Sequence, residues 1–405
     1  MADHWILTNR EVDPEAKDGN DIVEGGQADR LNGSPMFRVA RFETNDLEKK
    51  PTTSDLKRRV RFLADGQIQD YRDTLDQDGT HKGSKEMFRS LFSSMKSAPE
   101  GKGDVLFFIH GFNYKWSDSL VHLQKLHRLY VEPQESPVSH IVYFSWPSWG
   151  RQLRYWSDQE IALVSGQVLG RMFAKLVQFY RDVFGSSTMG VANPDRPEFC
   201  NRRIHLAAHS MGNQVLEQFM RTFSALGNYR IPVFGETLLL NADADWTALE
   251  RGEPLYSLPC YSDRIHVYNH KGDDALGVSE HTKNSERRLG KHGPRRDGKS
   301  QIADRTIIVD STELNGARGK RAADDMTLNS SARLCKPGQA DDFLRVAKSV
   351  LPGGVGFRER LFDHWGYLHR PEVVADIWQV LRGLRSSKIA GRDGTNGVLY
   401  RLTPR

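Results

Sequence analysis

Short apolar segments alternate with amphipathic ones along most of this chain. The apolar segments are about five residues long and rich in β-branched and aromatic side chains, which is typical of strands buried on both faces of a parallel sheet. This pattern predicts strands at Val105–Ile109, Ile141–Ser145, Ile204–Ala208, Thr237–Asn241, Ile265–Asn269 and Thr306–Asp310, and edge strands at Trp5–Thr8 and Phe37–Phe42.

The amphipathic segments predict helices at Ser117–Tyr130, Asp158–Phe184, Asn213–Leu226 and Pro371–Leu384. In the last of these, Pro371 stands near the start and apolar residues recur at helical spacing from Val373 to Leu384. The regular alternation of strands and helices favours an α/β fold, with a mostly parallel, doubly wound sheet flanked by helices.

Polar segments interrupt the alternation at three places. We predict one domain over residues 1–385 with insertions at about 45–102, 282–305 and 315–361, followed by a loosely packed polar tail at 386–405. The first insertion should combine a loop with a helix, and the second, rich in Gly, Lys and Arg, should be a mobile surface loop. The third contains a helical stretch at Asp341–Val350. A compact domain that carries polar insertions is therefore expected.

The charge of the chain argues against a nucleic-acid-binding protein. Its 57 Lys and Arg residues exceed its 52 Asp and Glu residues by only five. The stretch His281–Arg305 alone, with eight basic and three acidic residues, matches that excess. A basic loop at Lys283–Arg305 keeps nucleic-acid binding open as a minor alternative, but no aromatic residues interleave it.

Cysteine usage and hydropathy predict a cytoplasmic protein. Cys200, Cys260 and Cys335 are widely spaced and form neither a zinc pattern nor a disulfide framework. The N-terminus is polar, and the longest apolar runs are far shorter than the ~20 residues of a membrane-spanning helix. Because the sequence also has no glycine-rich phosphate loop and no metal-ligand spacing, we expect no cofactor and no metal. Nothing in it indicates an oligomeric state.

The clearest chemical signal is a serine at a sharp strand-to-helix turn. The segment Ala208-His209-Ser210-Met211-Gly212 follows a predicted strand and precedes a predicted helix, and its first and last residues are small. This is the nucleophile-elbow arrangement, with alanine in place of the first glycine. The alternative is an ordinary turn with an N-capping serine. The context favours Ser210 as a nucleophile, with His209 beside it in a packing or hydrogen-bonding role.

A second signal follows the strand Val105–Ile109. An oxyanion hole needs two converging backbone N–H groups. One usually comes from the residue after the nucleophile, here Met211, and the other from the loop after an earlier strand. In the segment His110-Gly111-Phe112-Asn113 the glycine permits close approach, so the sequence predicts Phe112 and Met211 as the two donors.

A serine nucleophile needs a base, and the base needs an acid that holds its tautomer. These follow the serine along the chain in the order acid, then base. His364, in a loop before the closing helix, is the predicted base, with His369 and His292 as alternatives. Asp273, after the strand Ile265–Asn269, is the predicted acid, and Asp274, Asp243 and Asp245 are its competitors.

Together these residues resemble the α/β-hydrolase superfamily and, more narrowly, a bacterial family of uncharacterised serine hydrolases. The motifs that carry the resemblance are HGFN, SWPS (Ser145–Ser148), AHSMGN, YNHKGDDAL (Tyr268–Leu276) and HWGY. The resemblance spans roughly Trp5–Leu384 with gaps, and it implies Ser210 as nucleophile, Asp273 as acid and His364 as base. The insertion at 315–361 departs from the family pattern.

The SWPS segment follows a predicted strand and should lie at the same sheet edge as the elbow. We assign Trp146, Pro147 and His110 to the substrate pocket. The alternative is that the tryptophan covers the core while the proline shapes the loop. The insertion at 315–361 should form a lid over this pocket, because it joins the last predicted strand to the loop that carries His364.

These predictions favour a serine hydrolase that cleaves carboxylic esters through an acyl-enzyme intermediate. The substrate would be a small-molecule or lipid-like ester. A lipase, phospholipase or thioesterase is the first alternative if Phe112, Trp116, Trp146 and Trp149 form an apolar slot. From another class, the chain could be a hydrolase-fold binding protein whose triad is idle, because a fold does not determine a function.

Overall fold

The computed structural model describes residues 3–11, 22–24, 28, 30–31, 34–45, 51–63, 83–148, 155–184, 201–226, 233–282, 286–297, 301–314, 363–394 and 397–404. The whole of the predicted insertion at 315–361, with its helical stretch Asp341–Val350 and the predicted lid, lies outside these residues, and so does Trp149.

Thirteen strands occur in the described residues. They are β1 (His4–Thr8), β2 (Arg30–Leu31), β3 (Ser34–Pro35), β4 (Arg38–Phe42), β5 (Val60–Phe62), β6 (Asp104–Ile109), β7 (Val138–Ser145), β8 (Ile204–His209), β9 (Phe234–Leu240), β10 (Ser262–Asn269), β11 (Thr306–Asp310), β12 (Arg392–Gly394) and β13 (Leu399–Leu402). All except β2 and β3, which pair with each other, belong to one large sheet.

Nine α-helices accompany these strands in the same ranges. They are α1 (Thr53–Arg58), α2 (Gly83–Ser97), α3 (Trp116–Tyr130), α4 (Tyr155–Phe184), α5 (Gly212–Leu226), α6 (Asp274–Thr282), α7 (Leu289–His292), α8 (Gly366–His369) and α9 (Pro371–Leu381). Short 3₁₀ helices occur at Pro254–Cys260, Thr312–Leu314 and Ser386–Lys388.

The large sheet has the order β12-β13-β11-β10-β9-β8-β6-β7-β1-β4-β5. From β13 to β1 every neighbouring pair is parallel, whereas β12, β4 and β5 are antiparallel to their neighbours. The mostly parallel α/β sheet predicted from the sequence is therefore confirmed. Because the parallel strands end at a common edge, the residues that follow β6, β7, β8, β9 and β10 meet there.

Helices cover both faces of the sheet and enclose two apolar cores. On one face α2, α4 and α5 pack against alternate residues of the central strands, such as Phe107 and Leu206. On the other face α3 and α9 pack against the residues between them, such as Leu106 and Phe108. Burial on both faces explains why these strands read as continuous apolar runs, and it holds their ends rigidly.

Three expectations about the periphery of the domain differ from the structure. The strands at Trp5–Thr8 and Phe37–Phe42 are internal, because β1 lies between β7 and β4 and β4 between β1 and β5. The tail beyond residue 385 is not loosely packed, since β13 pairs with β11 and buries Tyr400 and Leu402. In the insertion at 282–305, Leu289 and Gly290 are buried, so this part of it is packed rather than a surface loop.

No helix in the described part of the chain is long and apolar enough to cross a membrane.

Burial keeps many histidines neutral. In the part of the chain that the structure describes, eight buried histidines have a pKa held below its usual range, in each case chiefly because burial penalises the charged ring. They are His4, His110, His122, His140, His209, His266, His270 and His369. In the unfolded chain these histidines have their usual pKa and bind protons below about pH 6.5, whereas in the folded chain they stay neutral. Their neutral burial is therefore compatible with full stability only above that pH.

We expect the free energy of unfolding to fall as the pH drops from 7 to 5. For each histidine whose folded pKa lies below this range, the slope rises to about 1.4 kcal/mol per pH unit as the same ring becomes protonated in the unfolded chain. Glu217 has the opposite effect, because burial raises the pKa of its carboxyl to about 7 and the folded chain therefore binds this proton before the unfolded chain does. Urea unfolding at several pH values would measure this slope. The His140→Gln variant has one titrating ring fewer, so its slope should be smaller by up to about 1.4 kcal/mol per pH unit. A midpoint that stays constant or rises toward pH 5 would contradict this account.

Candidate active site

Ser210 lies in the turn between β8 and α5, at the sheet edge where the parallel strands end. Its backbone φ of 52° lies in the left-handed region, which residues other than glycine rarely adopt. Gly212, two residues on, packs so closely that a Cβ there would lie 2.5 Å from the carbonyl oxygen of His110. The turn is therefore as sharp as the small-residue pattern predicts, and α5 begins at Gly212, two residues after Ser210.

Backbone hydrogen bonds hold this strained turn in place. The Ser210 N–H donates to the carbonyl oxygen of Leu240 (3.0 Å). The Ser210 carbonyl accepts from the backbone N–H groups of Asn213 and Asp243, at 3.0 Å each. The Asn213 side chain adds donations from Nδ2 to the carbonyls of Ala208 and Ser210, both at 3.0 Å. Backbone strain of this kind persists only where the surrounding structure determines the conformation in this way.

His364 and Asp273 form a buried hydrogen-bonded pair. His364 Nδ1 donates to Asp273 Oδ2 at 2.8 Å. The same carboxylate accepts from Asn241 Nδ2 through Oδ2 (2.9 Å) and from the Leu276 N–H through Oδ1 (3.0 Å). Burial disfavours the ionised form of Asp273, but His364 and these hydrogen bonds outweigh it and lower the pKa of the carboxyl. Asp273 is thus an ionised acceptor facing the imidazole.

His209 connects the His364 loop to the elbow. Its Nε2 donates to the carbonyl oxygen of His364 (2.9 Å), and the two ring centroids are 4.7 Å apart. Burial, followed by the neighbouring His364, holds the pKa of His209 well below its usual range. His209 is therefore a neutral donor, in the packing and hydrogen-bonding role expected of it.

Asn241 is a site residue to which sequence reasoning gave no role. It has a φ of 41° directly after β9, and its Nδ2 bridges Asp273 Oδ2 and the carbonyl of Asp363 (3.2 Å). Asparagine tolerates the left-handed region better than most residues. An asparagine at the end of a predicted strand was therefore the sequence signal that could have indicated this turn. Through this amide, the strand after the elbow helps to fix both the acid and the His364 loop.

The competing acids and bases have other partners. Asp243 Oδ1 accepts from Ser279 Oγ (2.8 Å) and lies 3.5 Å from Arg288 Nη1. Asp245 also pairs with Arg288, and Asp274 begins α6. Of the alternative bases, His292 pairs with Glu280 (2.8 Å), and His369 is buried in α8 with a pKa lowered to about 3 by burial. The structure brings Asp273 to His364.

The loop that carries the predicted oxyanion donor Phe112 lies against Ser210. A Cβ at Gly111 would lie 2.8 Å from Ser210 Cβ and 3.0 Å from the carbonyl oxygen of His209. Phe112 follows it and packs partly buried against the core, while Met211 is fully buried just before α5. Both predicted donors therefore belong to segments in contact with Ser210, and their role remains a prediction.

Replacing Gly111 with alanine should disturb this contact. Because the new methyl group meets Ser210 Cβ and backbone, the loop or the elbow must shift, and a misplacement of about 1 Å can cost roughly 100-fold in rate. We expect turnover to fall by about 10- to 100-fold. Gly366→Ala is the matched control, since a Cβ there meets only side-chain atoms at ordinary contact distance, 3.6 Å or more. Kinetics on an ester substrate would compare the two, and equal turnover would contradict the contact.

The residues assigned to the pocket wall behave differently from expectation. His110 and Trp146 have no exposed surface, and Pro147 is buried. His110 Nδ1 donates to the Gly111 carbonyl (2.7 Å), and its Nε2 accepts from the Trp146 N–H (3.1 Å). Burial, followed by the charge of Arg10, holds the pKa of His110 well below its usual range. His110 and Trp146 therefore offer no surface to a ligand, and this burial favours the alternative in which the tryptophan covers the core and the proline shapes the loop.

The described residues contain no group of three or more His, Cys, Asp or Glu side chains that could hold a metal ion. At this sheet edge the described residues bring together a serine, an imidazole, a carboxylate and backbone N–H groups.

A protein-family model described as an alpha/beta hydrolase of unknown function (DUF900) matches residues 85–183 and 196–334, which is more than half of the chain. The matched residues include Ser210 and Asp273, and His364 lies beyond them. A search of curated proteins and a search of solved structures found no match.

Proposed function

Since the chain belongs to this family of α/β-hydrolases of unknown function, we propose that it is a serine hydrolase that cleaves carboxylic esters with Ser210 as nucleophile. The observation that carries the proposal is the 2.8 Å hydrogen bond from His364 Nδ1 to the buried carboxylate of Asp273. The loop that carries His364 is hydrogen-bonded to His209, the residue next to the serine. The proposal completes the triad by having His364 Nε2 accept the proton of Ser210 Oγ, as acyl transfer requires.

The proposed reaction proceeds through an acyl-enzyme. Asp273 holds the proton on His364 Nδ1, so Nε2 is the nitrogen with a free lone pair. His364 Nε2 takes the proton of Ser210 as its Oγ attacks the ester carbonyl, and the same proton passes to the departing alkoxide. Water activated by His364 then attacks the acyl group and releases the acid, which restores Ser210.

In the proposed reaction, three kinds of group would stabilise the charge that develops. The carbonyl oxygen that becomes negative would be held by the N–H groups of Phe112 and Met211. The N-terminus of α5, which begins at Gly212, contributes its partial positive charge at the same point. The ionised Asp273 stabilises the imidazolium that forms on His364. In this proposal none of these groups needs to move when charge develops on the substrate.

A carboxylic ester is the favoured substrate because its leaving alkoxide asks less of the acid catalyst than an amide nitrogen would. The acyl-chain alternative rested on an apolar slot of four aromatic residues. Of these, Trp116 and Trp146 are buried in the two cores and Trp149 lies outside the described residues. The apolar cavity beneath α2, lined by Met87, Phe88, Leu91 and Phe173 among others, reaches Val105 and Ile204 at the starts of β6 and β8, away from the Ser210 edge.

The idle-triad alternative predicts a site in which the acid and base are no longer matched. Here Asp273 has three N–H donors directed at it, and one of them is the imidazole of His364. A buried carboxylate with this set of partners supports a working base, which favours the enzyme over the binding protein.

A fluorophosphonate probe tests the proposal directly. We expect covalent labelling at Ser210 of the native protein, none after unfolding, and hydrolysis of nitrophenyl esters. A panel of acyl chains of increasing length separates a small-ester hydrolase from an acyl-chain hydrolase. Native protein that neither labels nor turns over any ester would refute the serine-hydrolase proposal.

A further inference from the structure

We propose that Ser148, with Asp158 behind it, is a positioning residue that fixes the loop carrying the Phe112 N–H. This inference rests on the proposed serine-hydrolase function. It gives the SWPS segment a role other than that of a pocket wall, and it introduces Asp158, to which the sequence pattern assigned no function.

The first contact is between Ser148 and the end of the loop. The backbone N–H of Asn113 donates to Ser148 Oγ at 2.7 Å. Asn113 has a φ of 67°, so the chain turns through the left-handed region directly after Phe112. A hydrogen bond to the N–H of a residue in this conformation holds the peptide plane that follows Phe112.

The second contact orients the serine hydroxyl. Ser148 Oγ donates to Asp158 Oδ2 at 3.2 Å, and both side chains are fully buried. Because the carboxylate takes the hydroxyl hydrogen, a lone pair of Oγ faces the Asn113 N–H. Asp158 lies in the first turn of α4, where the helix dipole favours a negative charge. The loop is thereby tied to a helix on one face of the sheet.

The other end of the loop is held by the same segment. The Trp146 N–H donates to His110 Nε2, and Trp146 Nε1 donates to the His110 carbonyl (2.8 Å). The two rings are stacked, with centroids 5.3 Å apart and planes inclined by 8°. His110 and Asn113 are therefore both anchored to residues 145–148, and only Gly111 and Phe112 lie between the anchors.

This two-point attachment matters because an oxyanion hole works by preorganisation. Its donors stabilise the transition state only if they need no movement when charge develops on the substrate oxygen. Loss of the Ser148 hydroxyl would leave the Asn113 N–H and the Asp158 carboxylate without this partner in a buried site, and the loop end would relax. The effect should fall on the chemical step and leave ground-state binding of the ester nearly unchanged.

Kinetics of Ser148→Ala tests this role. We expect kcat for a nitrophenyl ester to fall by about 10- to 100-fold, while KM changes by less than about twofold. The affinity for a trifluoromethyl ketone, whose adduct carries the oxyanion, should fall in the same proportion. Ser136→Ala is the matched control, because this buried hydroxyl also accepts a backbone N–H, from Val138, and donates to a carbonyl, that of Tyr130, at the opposite edge.

Asp158→Asn keeps the size of the side chain and an acceptor oxygen, so it should show the same pattern with a smaller loss of kcat. It also serves if Ser148→Ala fails to fold. Wild-type kcat and ketone affinity in a folded Ser148→Ala or Asp158→Asn variant, or an equal loss in Ser136→Ala, would overturn the positioning role alone. If the wild type neither labels with fluorophosphonate nor hydrolyses esters, the proposed function fails and the positioning role falls with it.

Discussion

Replacing Ser210 with alanine is expected to abolish fluorophosphonate labelling and ester hydrolysis. Without the hydroxyl there is no atom to form the acyl-enzyme, and the His364–Asp273 pair has no proton to accept. In a well-studied serine protease the loss on removing the nucleophile is about 2 × 10⁶ in turnover. We expect a loss of roughly this order, limited in practice by the background hydrolysis of the ester.

The Ser210→Ala variant should remain folded. The hydrogen bonds described for Ser210 use its backbone N–H and carbonyl, which alanine retains, and alanine keeps the Cβ that packs beside Gly111. Thermal unfolding of both proteins is the control, and their midpoints should be close. A pure, folded Ser210→Ala preparation that keeps more than a few per cent of the activity would exclude Ser210 as the nucleophile.

The central strands and helices could be predicted because their burial is written in local sequence. The strand Thr306–Asp310 was predicted to the residue, and the central helices to within a few residues at each end. Burial on both faces imposes apolar runs, and packing on one face imposes helical periodicity. The prediction failed at the edges of the sheet because burial there does not depend on the local sequence alone. Residues 386–405 are polar on average, and only their pairing with β11 buries Tyr400 and Leu402.

The candidate site divides in the same way. The Ser210 turn follows from small residues within five positions, and the order of acid and base follows from the strand order of the fold. The contacts that hold the site could not be predicted, because they join distant residues. Asn113 meets Ser148 across 35 positions, and Asn241 meets Asp363 across 122. Such long-range partners are determined by tertiary packing and leave no pattern in the local sequence. For this reason the sequence indicated a pocket role for Trp146 and His110, which are fully buried in the structure.

The amide variant Asp273→Asn should lose about 10⁴ in turnover while keeping the shape of the site. Both carboxylate oxygens of Asp273 accept N–H groups, Oδ1 from Leu276 and Oδ2 from Asn241 and His364. An amide has only one acceptor oxygen, so in either orientation its NH₂ group opposes a donor. Where it faces His364 it favours the tautomer with the proton on Nε2, which cannot accept the Ser210 proton.

Two neighbouring carboxylates provide the controls for this prediction. Asp274→Asn and Asp243→Asn should each change turnover per folded molecule far less than Asp273→Asn, because Asp274 begins a helix and Asp243 faces Ser279 and Arg288. Asp243→Asn is the sharper control, since Asp243 is also bonded to the elbow through its backbone N–H, which the substitution keeps. Unfolding midpoints separate lost chemistry from lost structure. If Asp243→Asn is the crippled variant and Asp273→Asn remains active, the acid follows β9 rather than β10, and the pairing of His364 with Asp273 does not serve catalysis.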